Sequence, residues 1–305
     1  DLYSMTTGLI GQKGRRGALM ISMDISHPDI EEFIDVKTDL NKVTKANISV
    51  RISDEFMHAV KNKEKYTCRF FLESTKEEII KEVDAHKLFM KLVENNWNYA
   101  EPGILFWDNI KKYHLLSEDK DFKHDGVNPC AEEPLPAGGS CLLGSINLSE
   151  FVVEPFTKEA IFDMEKFNAC VQDCILGLNE VLDEGLSLHP LKQQQESVSK
   201  YRQIGLGVMG IADMLIKLNM RYGSSESIEL CDKISKHMLN SAVKKSALIA
   251  KERGAFEKYN KEALLKSPFF INNIDEDVKE LVKKYGIRNS QILTIPPTGS
   301  ISTML

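Results

Sequence analysis

Long apolar runs, an excess of basic residues and cysteine patterns for metal binding are all missing from this chain of 305 residues. No window approaches the roughly 18 continuous apolar residues of a membrane span, and the opening DLYSMTTGLI lacks the layout of a secretory signal. The formal charge of −6 argues against binding to nucleic acid polymers, which needs a basic face. We expect an intracellular, cytoplasmic protein without affinity for membranes or polynucleotides, although a local site could hold a single nucleotide.

Cysteines are few and widely spaced. The six lie at positions 68, 130, 141, 170, 174 and 231. No CxxC pair and no Cys/His cluster has zinc spacing, so we expect no metal bound directly by this chain. Free thiols or redox groups are favoured over a structural disulfide framework. Cys170 and Cys174 lie four residues apart on a predicted helix, but without a third ligand we interpret them as core residues.

The order of predicted elements indicates the fold class. ALMISMDI and KANISVRIS have the apolar alternation of strands, and SHPDIEEFIDVK predicts a helix with Pro28 at its first position. Further helices are predicted over Asp84–Trp97, over residues 157–184, and from Ser224 or Ser225 to Gly254. Near the end, SQILTIPPTGSISTML predicts a short strand that runs into a tight turn. Strands that alternate with long helices predict an α/β protein with a largely parallel sheet.

GLGVMG, residues 205–210, satisfies the GxGxxG pattern of dinucleotide-binding folds. That motif needs a preceding strand and an acidic residue about 20 positions later. Here YRQI is a poor strand, and Glu226 and Glu229 lie in the next predicted helix. Close packing of a helix against the sheet is favoured, and a nicotinamide-dependent oxidoreductase is the alternative.

The segment VNPCAEEPLPAGGSCLLGSINL, residues 127–148, holds two thiols and adjacent carboxylates. Asn128, Cys130 and Glu132 alternate, so in an extended segment their side chains project to one side. A surface turn with incidental polar residues fits the spacing equally well. The nearest imidazole, His124, lies in a hydrophilic loop, and a carboxylate disfavours a thiolate, so a hydrolase nucleophile is poorly supported. A neutral S–H suits hydrogen-atom transfer, in which the carboxylate accepts a substrate proton and the amide orients the substrate.

TIPPTGSIST is a second candidate site. Pro297, Thr298, Gly299, Ser300 and Ile301 follow the last predicted strand and precede a possible helix start. Backbone N–H groups of residues 298–301 would form an anion site there. An ordinary strand-to-helix turn is the alternative.

Taken together, these segments resemble the catalytic subunit of ribonucleotide reductase. The matching blocks, in family order, are RRGALMISMDISHPDIEEFIDVK, KANISVRIS, EPGILFWDNI, NPCAEEPLPAGGSCLLGSINL, RQIGLGVMGIADML and TIPPTGSIST. The resemblance implies a partial ten-stranded α/β barrel, with residues 1–305 as a single, incomplete catalytic domain. A central finger loop over residues 127–148 would carry the radical cysteine deep inside that barrel.

The resemblance also implies a reaction, the reduction of ribonucleotides to 2′-deoxyribonucleotides. Cys130 would be the thiyl radical that removes hydrogen from the ribose 3′ carbon. Glu132 would take the 3′-hydroxyl proton, and Asn128 would bind the sugar hydroxyls. Cys141 would be one member of the dithiol that reduces the 2′ position, and residues 297–301 would hold the substrate phosphates.

GQKGRRG resembles the end of the loop that reports which deoxynucleotide effector is bound. Its predicted residues are Lys13, Gly14, Arg15, Arg16 and Gly17, with Arg15 as the residue that contacts substrate. The glycines would allow the loop to move. A simple basic turn would have the same sequence pattern.

The resemblance extends to cofactors and partners. Pro129 in Asn-Pro-Cys is typical of the adenosylcobalamin-dependent class, whereas the class that uses a separate radical subunit more often has leucine there. A ribonucleotide substrate, a deoxynucleotide effector and a thioredoxin-type reductant are implied, and a homodimer is a further expectation. Because the family's first redox cysteine and later barrel strands are not found here, we expect a missing remainder of the barrel or a second chain. Alone, the fragment would be inactive or a catalytically silent assembly piece.

Overall fold

The computed structural model describes residues 1–12 and 15–304. Its strands are β1 (Gly11–Gln12), β2 (Arg15–Arg16), β3 (Met20–Asp24), β4 (Asn47–Ile52), β5 (Lys65–Leu72), β6 (Glu77–Asp84), β7 (Gly103–Phe106), β8 (Gly126–Val127), β9 (Pro134–Leu135), β10 (Leu142–Asn147), β11 (Val152–Val153), β12 (Ile161–Phe162) and β13 (Ile204–Met209). Its helices are α1 (Leu2–Leu9), α2 (Ile30–Asp35), α3 (Asp54–Asn62), α4 (Ala85–Tyr99), α5 (Trp107–Lys112), α6 (Met164–Gly185), α7 (Lys192–Tyr201), α8 (Ile211–Lys217), α9 (Ser225–Arg253), α10 (Lys261–Lys266), α11 (Pro268–Asn273) and α12 (Glu276–Tyr285). None of the helices described combines the length and the apolar character needed to cross a membrane.

The chain folds as two compact units. The first contains Asp1–Lys112 and Gly126–Pro134, and the second contains Tyr113–Asp125 and the described residues from Leu135 onward. The assignment of residues 1–305 to one catalytic domain stays a prediction.

A three-stranded parallel sheet organises the first unit. Strand β4 lies in the middle, with Met20 of β3 opposite Asn47 and Gly103 of β7 opposite Ser49. The side chains of residues 48, 49, 50 and 52 are buried, on both faces of the strand. Such burial is typical of a central parallel strand, which is covered on both sides. The strands predicted from ALMISMDI and KANISVRIS are therefore confirmed.

The helices of the first unit begin at capping residues. Helix α4 starts after Asp84, whose carboxylate accepts a hydrogen bond from the Lys87 N–H at 2.9 Å, and it confirms the helix predicted there. Helix α2 begins at Ile30 with Asp29 in the capping position. The placement of Pro28 at the first helical position is therefore wrong by two residues.

The second unit is built on two parallel strands and two long helices. Strands β10 and β13 pair in parallel, with Leu142 opposite Ile204. Helix α9 begins after its Ser224 cap and ends at Gly254, as predicted. Helix α6 begins at Met164 rather than at residue 157, because Ile161–Phe162 pairs with Val152–Val153 as a short antiparallel ladder.

The described strands do not close into a ten-stranded barrel. The largest sheet has three strands and each of the others has two, whereas a barrel needs hydrogen-bonded neighbours on both edges of every strand. The α/β class with parallel pairing is confirmed, and the closed barrel is not seen in residues 1–12 and 15–304. The strand predicted over SQILTIPP is reduced to one bridge, Leu293 opposite Leu206, since Pro296 and Pro297 have no N–H to extend it.

Candidate functional site

Residues 128–133 form a tight reverse turn. The Ala131 N–H donates to the Asn128 carbonyl at 3.0 Å, and the Asn128 N–H donates to the Glu133 carbonyl at 3.2 Å. Ala131 has a φ of +70°, in the left-handed region that non-glycine residues seldom adopt. The interpretation of Asn128, Cys130 and Glu132 as one side of an extended segment is therefore wrong, because these hydrogen bonds reverse the chain between them.

This six-residue turn carries the three predicted site residues, Asn128, Cys130 and Glu132. The Asn128 side-chain oxygen accepts a hydrogen bond from the Glu133 N–H at 2.9 Å, which leaves its NH₂ group as the donor for a ligand. Glu132 is half-buried, and Glu133 is only 1% exposed. An amide donor, a thiol and a carboxylate thus come from one short segment.

The thiol of Cys130 is exposed. The expectation that this sulfur lies deep inside a barrel is not met by the described residues. The strands joined in any one described sheet number at most three, which is too few for a closed barrel.

An asparagine from the parallel sheet contacts this turn. The Asn47 side-chain NH₂ donates to the Pro129 carbonyl with an N–O distance of 2.8 Å. The sequence identified Asn47 only as part of a strand. No local pattern could have found this contact, because 82 positions separate the two residues.

Cys141 belongs to the second unit and directly precedes β10. Its side chain is half-buried, and its Sγ lies 3.7 Å from the Leu142 carbonyl oxygen. The loop before it turns at Gly138, where φ is +70° and a Cβ would lie 2.8 Å from the Gln193 side chain. That position therefore requires glycine.

The predicted phosphate segment also belongs to the second unit. Thr298 has a φ of +52°, and its carbonyl accepts a hydrogen bond from the Ser302 N–H at 3.0 Å. A single helical turn of three residues, Ile301–Thr303, follows. The predicted tight turn is present, with residues 299–301 exposed.

The predicted effector loop is described only in part. Lys13 and Gly14 lie outside the described residues, while the backbones of Arg15 and Arg16 form β2, antiparallel to β1. Gly17 lines a cavity of about 400 Å³, and a Cβ there would lie 2.8 Å from the Thr7 carbonyl oxygen. Close approach of the backbone is therefore one reason for glycine at position 17.

The glycines of GLGVMG lie in a strand. Gly205 and Gly207 are inside β13, and Gly210 caps α8 with a φ of +73°. A dinucleotide motif places its glycines in the turn after a strand, so this geometry does not support the nicotinamide alternative. The predicted close packing of a helix against the sheet is not what these contacts show, because a Cβ at Gly207 would meet the Thr294 carbonyl oxygen and one at Gly210 would meet the Asn147 side chain.

Three of the remaining cysteines are packing residues. Cys68 is buried, and Cys170 and Cys174 pack against the main apolar core. Burial, followed by the neighbouring Cys170, raises the pKa of the Cys174 thiol to about 11. In the described part of the chain, no group of three or more potential ligands could hold a metal ion.

Comparison with known proteins identifies relatives over nearly the whole chain. Residues 2–305 match the family model described as the ribonucleotide reductase barrel domain. A vitamin B12-dependent ribonucleoside-diphosphate reductase of Thermoplasma acidophilum is 35% identical over 303 residues, which are 99% of this chain and 36% of the relative. The enzyme of the same name from Mycobacterium tuberculosis is 29% identical over 99% of this chain and 40% of its own length. The ribonucleoside-diphosphate reductase subunit alpha of Chlamydia pneumoniae is 28% identical over 97% of this chain and 33% of its own length.

The chain spans between 33% and 40% of the length of these three relatives. The family model, in contrast, covers all but the first residue. The resemblance of the six sequence blocks to this family is therefore confirmed. The chain belongs to the ribonucleotide reductase family, within its barrel domain.

Proposed function

We propose that residues 1–305 carry the radical cysteine of an enzyme that reduces ribonucleotides to 2′-deoxyribonucleotides. The observation that supports this proposal best is the turn at residues 128–133, which carries an amide, a thiol and a carboxylate in a chain of this family. In the proposal, residues 1–305 act as one incomplete catalytic domain, with 127–148 as its finger loop.

Cys130 begins and ends the reaction in this proposal. As a thiyl radical it takes a hydrogen atom from the ribose 3′ carbon, so the C3′–H bond breaks, an S–H bond forms and the unpaired electron moves to C3′. Glu132 accepts the proton of the 3′-hydroxyl as a general base. The free NH₂ of Asn128 donates to a sugar hydroxyl and orients the ribose.

Cys141 supplies reducing equivalents. Reduction at C2′ replaces the hydroxyl by hydrogen and releases water, which consumes two protons and two electrons. Two thiols provide these and leave as a disulfide. Cys141 is one of the two, and we place the other outside these 305 residues. A thioredoxin-type reductant would return the disulfide to two thiols.

Adenosylcobalamin is the radical source that we propose. Two of the relatives above are named as vitamin B12-dependent, and Asn-Pro-Cys resembles that class. Adenosylcobalamin supplies an organic radical when it is bound. The exposed Cys130 thiol fits a bulky cofactor, because an accessible turn can present Sγ without rearrangement of a core.

A protein radical partner is the second candidate, supported by the relative named as a subunit alpha. Addition of adenosylcobalamin to the purified full-length protein distinguishes the two. We expect ribonucleotide reduction without a second radical-generating protein. Activity that requires such a protein and is indifferent to cobalamin would favour the alternative.

The other predicted contacts remain part of the proposal. Residues 297–301 hold the substrate phosphates through exposed backbone, and residues 13–17 report a bound deoxynucleotide effector. In the proposal, the rest of the barrel or a second chain completes the active site, and the protein assembles as a homodimer, as the resemblance implies.

Substitution of the sulfur tests the proposed function. In the full-length protein, Cys130→Ser should abolish reduction and leave ribonucleotide affinity within about twofold, because the O–H bond of serine is too strong to be broken homolytically, so no radical forms at position 130. Cys170→Ser is the matched control, since its sulfur packs against the core, and it should retain activity. Reduction at the normal rate by Cys130→Ser would overturn the proposal.

A further inference from the structure

Asn47 joins the cysteine turn to the parallel sheet of the first unit. Its side-chain NH₂ donates to the Pro129 carbonyl at 2.8 Å. Its own backbone N–H donates to the Leu19 carbonyl at 2.7 Å, and it pairs with Met20 across the β3–β4 ladder. The side chain therefore reaches the turn from a backbone position that the sheet already fixes.

The carbonyl that Asn47 holds belongs to the peptide bond immediately before Cys130. Because a peptide group is planar, fixing its carbonyl oxygen also fixes its N–H and limits the rotation of the next Cα. The direction in which the Cys130 Cα–Cβ bond points thus depends on the hydrogen bond to Pro129.

The turn has few other supports at its tip. Among described residues, the hydrogen bonds of residues 129–131 go only to Asn128, within the turn, and to Asn47. Ala131 adopts the left-handed region with a φ of +70°, which is unfavourable for a residue with a Cβ. An external contact is needed to keep this conformation populated.

We propose that Asn47 is a positioning residue for Cys130, which acts by holding the Pro129 carbonyl and so aims the thiol. This inference rests on the proposed role of Cys130 as the hydrogen-abstracting group. Asn47 need not contact the substrate. Its substitution should slow hydrogen transfer without weakening the binding of ribonucleotide.

Asn47→Asp removes the donor and keeps the shape of the side chain. A carboxylate cannot donate to the Pro129 carbonyl, and its charge would face that oxygen. Asn219→Asp is a matched control, because Asn219 is also an exposed asparagine that donates to a distant carbonyl, that of Thr157 at 3.0 Å. Asn219 lies in the second unit, outside every segment assigned a role here.

The first measurement is steady-state reduction by the full-length protein. We expect Asn47→Asp to lower kcat by about tenfold or more, since small errors in the position of a reacting group have large effects on rate. KM for the ribonucleotide should stay within about twofold. Asn219→Asp should match the wild type in both. An unchanged kcat in Asn47→Asp, with an active wild type, would overturn the inference and leave the proposed function intact.

The second measurement does not depend on activity. Hydrogen exchange of a peptide that covers residues 127–133, measured in the full-length protein, reports how often the turn opens. Loss of one hydrogen bond should make exchange of the Ala131 N–H about fivefold faster in Asn47→Asp, and Asn219→Asp should not change it. Equal exchange in all three proteins would overturn the inference. If even the wild type reduces no ribonucleotide, the proposed function fails, and the exchange result still decides the role of Asn47 in the turn.

A third variant covers the case in which Asn47→Asp loosens the whole first unit. Asn47→Gln keeps an NH₂ donor on a side chain longer by one methylene group. A kcat within about threefold of the wild type would support the donor role, because this variant still donates a hydrogen bond. A loss as large as that of Asn47→Asp would overturn it.

Discussion

A methyl group on Gly207 would lie 2.4 Å from the carbonyl oxygen of Thr294. Gly207 is in the middle of β13, and Thr294 donates its N–H to the Leu206 carbonyl at 3.1 Å. Because glycine has no side chain, the segment that leads to Pro297 can lie against the strand at position 207. We expect Gly207→Ala to lower the free energy of unfolding by about 1–3 kcal/mol, the usual cost of overpacking.

Gly177→Ala is the matched control for Gly207→Ala. Gly177 lies in α6, and a Cβ there would meet nothing within 4 Å. Because alanine favours a helix over glycine by about 1 kcal/mol, this variant should be as stable as the wild type or more stable. Urea unfolding of both variants measures the difference. Equal stability would mean that the close approach at Gly207 can relax without cost.

Sequence patterns predicted the elements whose signals are local. The strand at Asn47–Ile52 and the helix at Ser225–Arg253 follow from alternation and capping within a few residues. Strand β13 was missed because three glycines in GLGVMG hide a strand that is defined by its neighbours in space. For the cysteine segment, the sequence left an extended segment and a turn equally open, since the hydrogen bonds that reverse it and the contact from Asn47 depend on residues outside any periodic pattern.

His124 gives the protein a sensitivity to acid. The sequence places it in a hydrophilic loop, but the side chain is only 6% exposed, and its ring lies 4.5 Å from that of His114, centroid to centroid. Burial, followed by the neighbouring His114, lowers the pKa of His124 from 6.5 to about 3.

The direction of the pH effect follows from proton binding. Between pH 6.5 and about 3 the unfolded chain binds a proton at His124 that the folded chain does not. Stability is therefore complete above pH 6.5 and falls as the pH decreases, by at most about 1.4 kcal/mol per pH unit from this group. His124→Phe should flatten the dependence of urea midpoints on pH from 7 to 4.5, whereas the exposed control His58→Gln should keep it. An unchanged slope in His124→Phe would contradict the prediction.

Asn289 is the centre of a buried polar network in the second unit. Its NH₂ donates to the Asn179 side-chain oxygen at 3.0 Å and to the Arg202 carbonyl at 2.9 Å, and its oxygen accepts from the Ser246 hydroxyl at 2.8 Å. Asn289→Ala would leave several buried groups without partners. We expect it to cost about 3 kcal/mol or more in unfolding free energy.

The exposed Asn41 is the control for Asn289. Within the described part of the chain, its NH₂ donates only to Asp39, in the same turn, at 3.3 Å, so Asn41→Ala should change stability by less than about 0.5 kcal/mol. Thermal or urea unfolding of both variants measures these changes in unfolding free energy. A cost for Asn289→Ala as small as that for Asn41→Ala would show that water replaces the network.

Substitutions of Cys130 and Cys141 should block different steps, because Cys130 is proposed to abstract hydrogen at C3′ and Cys141 to reduce C2′. In the full-length protein, Cys130→Ser should release no label from a ribonucleotide tritiated at C3′. Cys141→Ser should still break the C3′–H bond and release label while it forms no deoxyribonucleotide, since its loss removes only a reducing thiol. The ratio of released tritium to deoxyribonucleotide therefore rises sharply in Cys141→Ser and is undefined in Cys130→Ser. Normal product formation by Cys141→Ser would remove Cys141 from the dithiol, and label release by Cys130→Ser would move the radical to another residue.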